Sequence, residues 1–170
     1  MSLSEVLSSV LQPLFDLIPQ ISPRPASTEF GVVDDVWGKP RQFRGPRPYV
    51  PALTHTQMFP SVEIPIDTGL QTLTSFDGIT VAVNATTILS ITDPVALRNA
   101  GGDEWAELVS MKIRGIVCSV ISEHKWSQSL RQASEFIEAD CYDDLWHIGI
   151  DVKRVVLEDM SETFSLRLFQ

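Results

Sequence analysis

The chain has 170 residues, a length at which one domain can bury a substantial core. Hydrophobic residues make up 44% and charged residues 21%, which excludes a largely disordered chain. The formal net charge of -9 argues against broad nucleic-acid binding, because phosphate neutralisation needs an excess of clustered Lys and Arg. We therefore expect one main folded domain with short appendages, and no nucleic acid among its partners.

The N-terminal segment, Leu3 to Ile18, has the pattern of an amphipathic helix, with apolar residues at three- and four-residue spacing. Pro13 is expected to kink this helix. A proline-rich tether, Ile21 to Ala26, follows and separates residues 1–26 from a domain over 27–170. The apolar stripe consists of Leu3, Val6, Leu7, Val10, Leu11, Leu14, Phe15, Leu17 and Ile18.

Three roles are open for this stripe. The tether favours a detached helix that lies in a membrane interface, with its apolar face among acyl chains. Packing on the domain core and binding to a partner protein are the alternatives. The polar face contains serines and no Lys or Arg, so binding would depend on apolar insertion more than on anionic lipid. No window has the roughly 18 consecutive apolar residues of a spanning helix, and we expect peripheral attachment.

Thr28 to Trp37 is predicted to be a strand, and Gly38 to Pro60 is a stretch punctuated by Pro and Gly that predicts a long hairpin or loop. This stretch contains basic residues and no acidic residue. Contact with lipid headgroups or an acidic neighbour competes with a simple solvated loop as its role. The basic residues are Lys39, Arg41, Arg44 and Arg47.

Two further strands, Val62 to Phe76 and Ile79 to Thr92, are rich in Val, Ile, Leu and Thr. Asp77-Gly78 between them indicates a hairpin turn, so the two strands should pair antiparallel. Apolar and polar residues alternate in the second strand, which predicts one buried face and one mixed face.

The remainder is predicted to be mainly helical. Asp93-Pro94 supplies an N-cap and a first-turn proline for a short helix that ends at Gly101-Gly102. A longer helix is expected from Asp103 to Ser122. Another should begin at Ser134 as its N-cap and stop at Gly149.

Alternation predicts a strand over Ile150 to Leu157 and a last strand or extended segment near the C-terminus. The last segment would seek a neighbouring strand edge, and we expect it to contribute to self-association. Its alternating residues are Phe164, Leu166 and Leu168.

Taken in order, these elements resemble the SPFH or Band 7 superfamily of stomatin, prohibitin and flotillin, across nearly everything after the tether. Each motif is short, and their order and spacing carry the resemblance. The motifs are Phe30-Gly-Val-Val33 with Trp37-Gly-Lys39, Val62-Glu-Ile-Pro65, Leu70-Gln-Thr-Leu-Thr74 with Asp77-Gly-Ile-Thr-Val81, Ile91-Thr-Asp-Pro94 with Ala96-Leu97, Ile113-Arg-Gly-Ile-Val117, and Gly149-Ile-Asp-Val-Lys-Arg-Val155 ending in Leu157-Glu-Asp-Met160.

The resemblance implies an α+β fold with a strand-rich antiparallel half over about 28–93, a helical half over about 94–160 and a terminal strand over 161–170. It also implies a non-catalytic scaffold that self-assembles and organises membrane microdomains or membrane protein complexes. The expected partners are the bilayer surface, further copies of the chain, and a membrane protease or channel. The expected location is peripheral, on the cytoplasmic side of a membrane. The chain differs from the family in its amphipathic N-terminal segment and in the absence of a long C-terminal coiled coil.

The residues indicate no catalytic chemistry, cofactor or metal site. His55, His124 and His147 have no close helical spacing that would bring two imidazoles onto one metal. Cys118 and Cys141 are expected to be small buried hydrophobes within helices. A thiol hydrolase, which would need one of these cysteines beside a histidine, and a soluble adaptor that binds a partner protein are the alternatives to the scaffold.

Overall fold

A small antiparallel sheet lies near the N-terminus of the computed structural model, which describes residues 20–21, 25–34, 39–46, 48–50, 54–125 and 130–162. The predicted amphipathic helix lies outside the described residues, as does the predicted terminal strand beyond Glu162. The chain divides into two compact units, an N-terminal unit, Met1–Val62, and a C-terminal unit, Glu63–Gln170. The boundaries predicted at residues 26, 93 and 160 stay predictions.

The N-terminal unit contains a three-stranded sheet in the order β3-β2-β5 and a separate two-stranded pair, β1 with β4. The pair consists of Gln20–Ile21 and Pro48–Tyr49. In the larger sheet, β2 is Glu29–Asp34, β3 is Pro40–Phe43 and β5 is Thr56–Pro60.

Both outer strands of this sheet pair with β2, and this corrects the predicted hairpin or loop over 38–60. Within that stretch, β3 and β5 do not pair with each other. The physical reason is that β2 has two edges of N–H and C=O groups, and a strand on each side satisfies both. The prolines fit this arrangement because Pro40 and Pro60 stand at the first and last positions of outer strands.

A glycine allows the close approach of β3 to β2. Gly31 is opposite Phe43 in the register, and a Cβ atom at Gly31 would overlap the Phe43 ring. The ring therefore covers the backbone of β2 and is itself buried. The next residue, Arg44, lies beyond the paired part of β3.

The C-terminal unit is organised around the long strand β8, Thr80–Ile91. Its neighbours are β6, Ile64–Asp67, β7, Gln71–Thr74, and β9, Ile150–Glu162, all antiparallel to it. Since β9 pairs with β8 along nearly its whole length, β6 and β7 share the other edge.

The predicted Asp77-Gly78 hairpin is present between β7 and β8, with Gly78 at a φ of 79°. The strand predicted over 62–76 is instead two strands, interrupted at Thr68-Gly69-Leu70. The buried Thr68 hydroxyl donates to the Ala85 carbonyl at 2.9 Å and accepts from the Ala85 N–H at 3.2 Å. In the gap between β6 and β7 the Thr68 hydroxyl thus serves as the acceptor for a β8 N–H, while the Thr68 N–H still donates to the Ala85 carbonyl at 2.9 Å. Sequence periodicity does not report such a side-chain contact.

The predicted alternation of β8 is confirmed. One face is fully or almost fully buried, and the other is mixed and partly exposed apart from Ala82. Partner residues of β9 continue the buried face, because Ile150 pairs with Ile91 and Val155 pairs with Thr87. The buried apolar residues of β8 on this face are Val81, Val83, Ala85, Leu89 and Ile91.

Three helices complete the unit. Helix α1, Pro94–Gly101, begins as predicted: the Asp93 carboxylate accepts hydrogen bonds from the N–H groups of Val95 and Ala96, each at 3.0 Å. A 3₁₀ turn, Gly102–Glu104, leads into α2, Trp105–Glu123. On the inner face of α2, Leu108 is half-buried and six residues are buried: Val109, Ile113, Ile116, Val117, Val120 and Ile121.

Helix α3 covers Leu130–Trp146, so Ser134 lies inside it and is not its N-cap. The residues before Ser134 include Leu130, Arg131 and Ala133, which are strong helix formers and extend the helix past the expected start. The helix also ends three residues before Gly149. The mixed α+β fold and the closing strand are confirmed.

Gly149 connects the end of β8 to the start of β9 through hydrogen bonds. Its carbonyl accepts hydrogen bonds from the Thr92 N–H at 2.9 Å, the Asp93 N–H at 3.0 Å and the Thr92 hydroxyl at 3.1 Å. Its φ is 82°, and a Cβ atom there would overlap the Asp93 carbonyl oxygen. Only glycine satisfies both conditions without strain.

We expect Gly149→Ala to lower the free energy of unfolding by about 2 kcal/mol or more, because it combines left-handed backbone strain with steric overlap. Gly115→Ala is the matched control. Gly115 lies in α2 with no atom near its would-be Cβ, so the substitution should stabilise the protein by about 1 kcal/mol. Urea denaturation followed by circular dichroism measures both. Equal stability of Gly149→Ala and the wild type would contradict the conclusion that position 149 requires glycine.

Candidate functional site

The basic residues predicted to contact lipid lie on and beside β3. Lys39, Arg41 and Arg44 are all exposed. Arg47 and the nine residues of the N-terminal apolar stripe lie outside the described residues, so their predicted membrane contact stays a prediction. The stretch predicted to be a loop is thus partly a strand edge, which spaces the described cations along one element.

Arg44 borders a cleft of about 530 Å³ in the N-terminal unit. Its guanidinium carbon lies 4.7 Å from the centroid of the Phe30 ring, a cation–π contact. Glu29 lines the same cleft, and its Oε2 accepts a hydrogen bond from the Ala26 N–H at 3.1 Å. The cleft therefore has a cationic and an anionic wall. The remaining lining residues are Pro25, Ala26, Ser27 and Ser61.

A second candidate surface is the α3 outer face, which we define as Phe136, Ala139, Tyr142 and Trp146. Trp146 is 50% exposed, Tyr142 44% and Phe136 43%. Tyr142 and Trp146 stack on each other with ring centroids 5.7 Å apart, and Phe136 stacks on His124 at 4.6 Å. This face is therefore aromatic and open.

The α3 outer face lies opposite the side of the helix that packs in the core. Ile137, Cys141 and Leu145 are fully buried. Trp146 follows Ile137 by nine residues, which is about two and a half turns, and so projects from the opposite side. A helix that is apolar on two opposite sides has more apolar surface than its own core covers.

Acidic residues flank this face. Glu135 and Glu138, with Tyr142, line a groove of about 360 Å³ beside Val152 of β9. Glu138 also accepts a hydrogen bond from the Val155 N–H at 3.1 Å, which ties α3 to β9. Asp143 also lines this groove, and with exposed Asp140 and Asp144 it borders a second groove of about 450 Å³ against α2. The acidic residues of α3 are therefore exposed, apart from half-buried Glu138.

The two cysteines differ in environment. Cys141 is buried as predicted, whereas Cys118 is exposed on the outer side of α2, contrary to prediction. Burial, with smaller contributions from Asp140, Asp144 and Glu138, raises the pKa of the Cys141 thiol from 9.0 to about 12. Such a thiol stays protonated at neutral pH and is a poor nucleophile.

Of the three histidines, one has a ring nitrogen in contact with a backbone carbonyl, and the other two are exposed. His124 Nδ1 lies 2.8 Å from the Val120 carbonyl oxygen, and His55 and His147 are exposed. Neither cysteine nor histidine lines any of the three clefts above. Within the described ranges, no group of three or more His, Cys, Asp and Glu side chains is arranged to hold a metal ion.

The aromatic surface of α3 is not among the features predicted from the sequence. The residues of the α3 outer face do recur at spacings of three, three and four, which is a second helical stripe beside the acidic residues. The walls of the Arg44 cleft could not be identified in this way. They come from separate strand ends that only tertiary pairing brings together.

No known protein-family model matches the sequence, and a comparison with curated proteins finds no match either. Among the residues that the structure describes, no helix combines the length and apolarity needed to cross a bilayer.

We expect a thiol reagent at pH 8 to label Cys118 in the folded protein and to leave Cys141 unmodified, because Cys141 is buried and its pKa is about 12. Both thiols should react in denaturant. Mass spectrometry after proteolysis identifies the labelled residue, with Cys118→Ser as the control that should take up no label when folded. Rapid labelling of Cys141 in the folded chain would contradict the burial of its thiol.

Proposed function

We propose that the chain is a non-catalytic, membrane-peripheral scaffold of the SPFH type that self-assembles through its helical half. The observation that carries the proposal is the α3 outer face, an exposed aromatic surface opposite a fully packed one. Tyr and Trp are enriched where protein surfaces are buried on association, since they remove a large area from water at low entropic cost.

The occupant that we propose for this face is a second copy of the chain, which presents the outer side of α2. That side carries Met111, 56% exposed, followed by exposed Arg114, Gly115 and Cys118 at positions that share a helix face. Small residues leave room for aromatic rings, and Arg114 complements the acidic flanks of α3.

Such a contact joins two different surfaces of the same molecule. An association of this kind is heterologous, so each copy leaves one α2 side and one α3 outer face available for further copies. Repetition then produces a ring or a filament. This property supports a scaffold rather than a simple dimer.

The membrane part of the proposal is supported by the exposed Lys39, Arg41 and Arg44 and by the apolar stripe of residues 3–18. The absence of acidic residues from 39 to 62 makes this stretch the exception in a chain of net charge -9. Clustered cations of this kind are attracted to phosphate groups. A membrane protease or channel and a cytoplasmic-side location remain parts of the proposal.

We expect the wild-type chain to sediment as species larger than its 18.9 kDa monomer. The double variant Tyr142→Ser/Trp146→Ser should weaken association about tenfold or more, because truncation of interface aromatics commonly costs over 1.4 kcal/mol. Sedimentation velocity over a concentration series measures the shift.

Leu70→Ser is the matched control. Leu70 is 69% exposed in the same unit but lies between β6 and β7, away from α3, so its loss should leave association unchanged. A wild-type chain that is monomeric both in solution and with vesicles would refute the scaffold. A monomer whose partner protein is lost on Tyr142→Ser/Trp146→Ser would instead support the soluble adaptor.

The membrane role has a separate test. Leu7→Asp/Leu11→Asp places two charges in the apolar stripe, where insertion among acyl chains would have to desolvate them. We expect this variant to lose sedimentation with liposomes. Ser8→Asp/Ser9→Asp, on the polar side of the same segment, is the control that should retain it. Unchanged sedimentation of Leu7→Asp/Leu11→Asp would refute the anchoring role of residues 3–18.

A further inference from the structure

We propose that the Arg44 cleft binds a phosphoethanolamine group, a phosphate ester that carries a primary ammonium group on a short linker. The inference rests on the proposed membrane-peripheral function, and it names the ligand chemistry of the basic surface of the N-terminal unit. The group could belong to a lipid headgroup or to a soluble phosphodiester.

The fold brings three strand ends together at this cleft. Phe43 of β3 is opposite Gly31 of β2, so Arg44, the next residue, lies beside Phe30. On the other side of β2, Glu29 is opposite Pro60, the last residue of β5, and Ser61 follows it. The Ser61 N–H donates to the Thr28 carbonyl at 2.7 Å, which holds this end of the sheet together.

The contact with the Phe30 ring orients Arg44 for binding an anion. A guanidinium 4.7 Å from a ring centroid is restrained by the cation–π attraction, while the N–H groups at its edge can still donate. Among the described residues, no carboxylate forms an ion pair with Arg44. A guanidinium can form two parallel bonds to phosphate oxygens.

The opposite wall suits a cation with N–H donors. The Glu29 Oε2 atom accepts from the Ala26 N–H at 3.1 Å, which fixes the carboxylate in the cleft. The Oε1 atom has lone pairs that can accept from a primary ammonium group. The hydroxyls of Ser27 and Ser61, which also line the cleft, can donate to further phosphate oxygens.

The two walls together select a zwitterion. A phosphate without an ammonium group would meet the negative charge of Glu29, and an amine without a phosphate would meet the positive charge of Arg44. The volume of about 530 Å³ falls within the usual range for small-molecule sites. A zwitterionic membrane surface also suits a chain of net charge -9, which an anionic surface would repel.

The direct test is an NMR titration of the full chain with glycerophosphoethanolamine, followed through the amide signals of Ser27, Glu29 and Ser61. We expect saturable shifts. Arg44→Gln should weaken binding about tenfold, as expected for the loss of a charge-assisted bidentate contact. Arg41→Gln is the matched control, because it removes the same charge from an exposed residue of β3 that does not line the cleft.

Selectivity provides the second readout. Wild type should prefer glycerophosphoethanolamine to glycerophosphocholine, which lacks N–H donors, and to glycerol phosphate, which lacks a cation. Glu29→Gln should abolish that preference and improve binding of glycerol phosphate, while its amide oxygen still accepts from Ala26. If Glu29 had only a structural role, Glu29→Gln would leave the order of affinities for the three ligands unchanged.

Vesicles distinguish the source of the group. Binding that rises when phosphatidylethanolamine replaces part of the phosphatidylcholine, and that falls with Arg44→Gln but not with Arg41→Gln, supports the site and assigns a lipid headgroup. Binding of the soluble diester without that vesicle dependence supports the site and assigns a soluble ligand.

Absence of saturable binding to the soluble diester, or equal losses in Arg44→Gln and Arg41→Gln, would overturn the inference. The proposed membrane function would survive those results if Leu7→Asp/Leu11→Asp still abolished liposome sedimentation. Conversely, vesicle binding that is unaffected by Leu7→Asp/Leu11→Asp, together with saturable diester binding, would overturn only the anchoring role.

Discussion

The pairing of β8 with β9 is the constraint on which the C-terminal unit depends. These strands are joined by 58 intervening residues, 92–149, yet they form a long antiparallel ladder, with two register shifts, from Ile91 with Ile150 to Val81 with Glu162. The Gly149 carbonyl begins that ladder by accepting three hydrogen bonds from Thr92 and Asp93. Asp93 in turn caps α1, so one junction sets both the strand register and the start of the helical segment. The loop-closure entropy of such a distant pairing is offset only because the buried face of the sheet and the helices share one core.

The helical segment covers the sheet with one side of each helix and leaves other surfaces open. In α3, the core side and the aromatic outer side are separated by acidic residues on both flanks, and Glu138 also bonds the backbone of β9. This hydrogen bond holds α3 against β9, so the outer residues of α3 have defined positions. Residues that are already ordered lose less conformational entropy on association. The same argument applies to the outer side of α2, where Arg114 carries a charge opposite to that of the acidic residues of α3. The proposed assembly therefore rests on apolar surface of α3 that the core leaves uncovered.

In the N-terminal unit, a small sheet brings together charged residues that are far apart in the sequence. Gly31 admits the Phe43 ring, Phe43 sets the position of Arg44, and Arg44 comes to lie beside Phe30 at 4.7 Å. Glu29 and Ser61 reach the same cleft from the other strands. The acidic chain thus contains a local site with both charge signs, and such a site can discriminate between ligands of similar size.

The sequence by itself determined the local structure where one strong signal dominates. The Asp77-Gly78 turn, the Asp93 cap with Pro94 and the alternation of β8 were all predicted, because each depends on neighbouring residues and a fixed period. Tertiary structure alone decided the pairing of β3 and β5 with β2, the break at Thr68-Gly69, the early start of α3 and the exposure of Cys118. It likewise decided which side of α3 remains open and which strand ends form the Arg44 cleft. Those features depend on contacts between distant residues, whose free energies outweigh local preference and leave no periodic trace in one sequence.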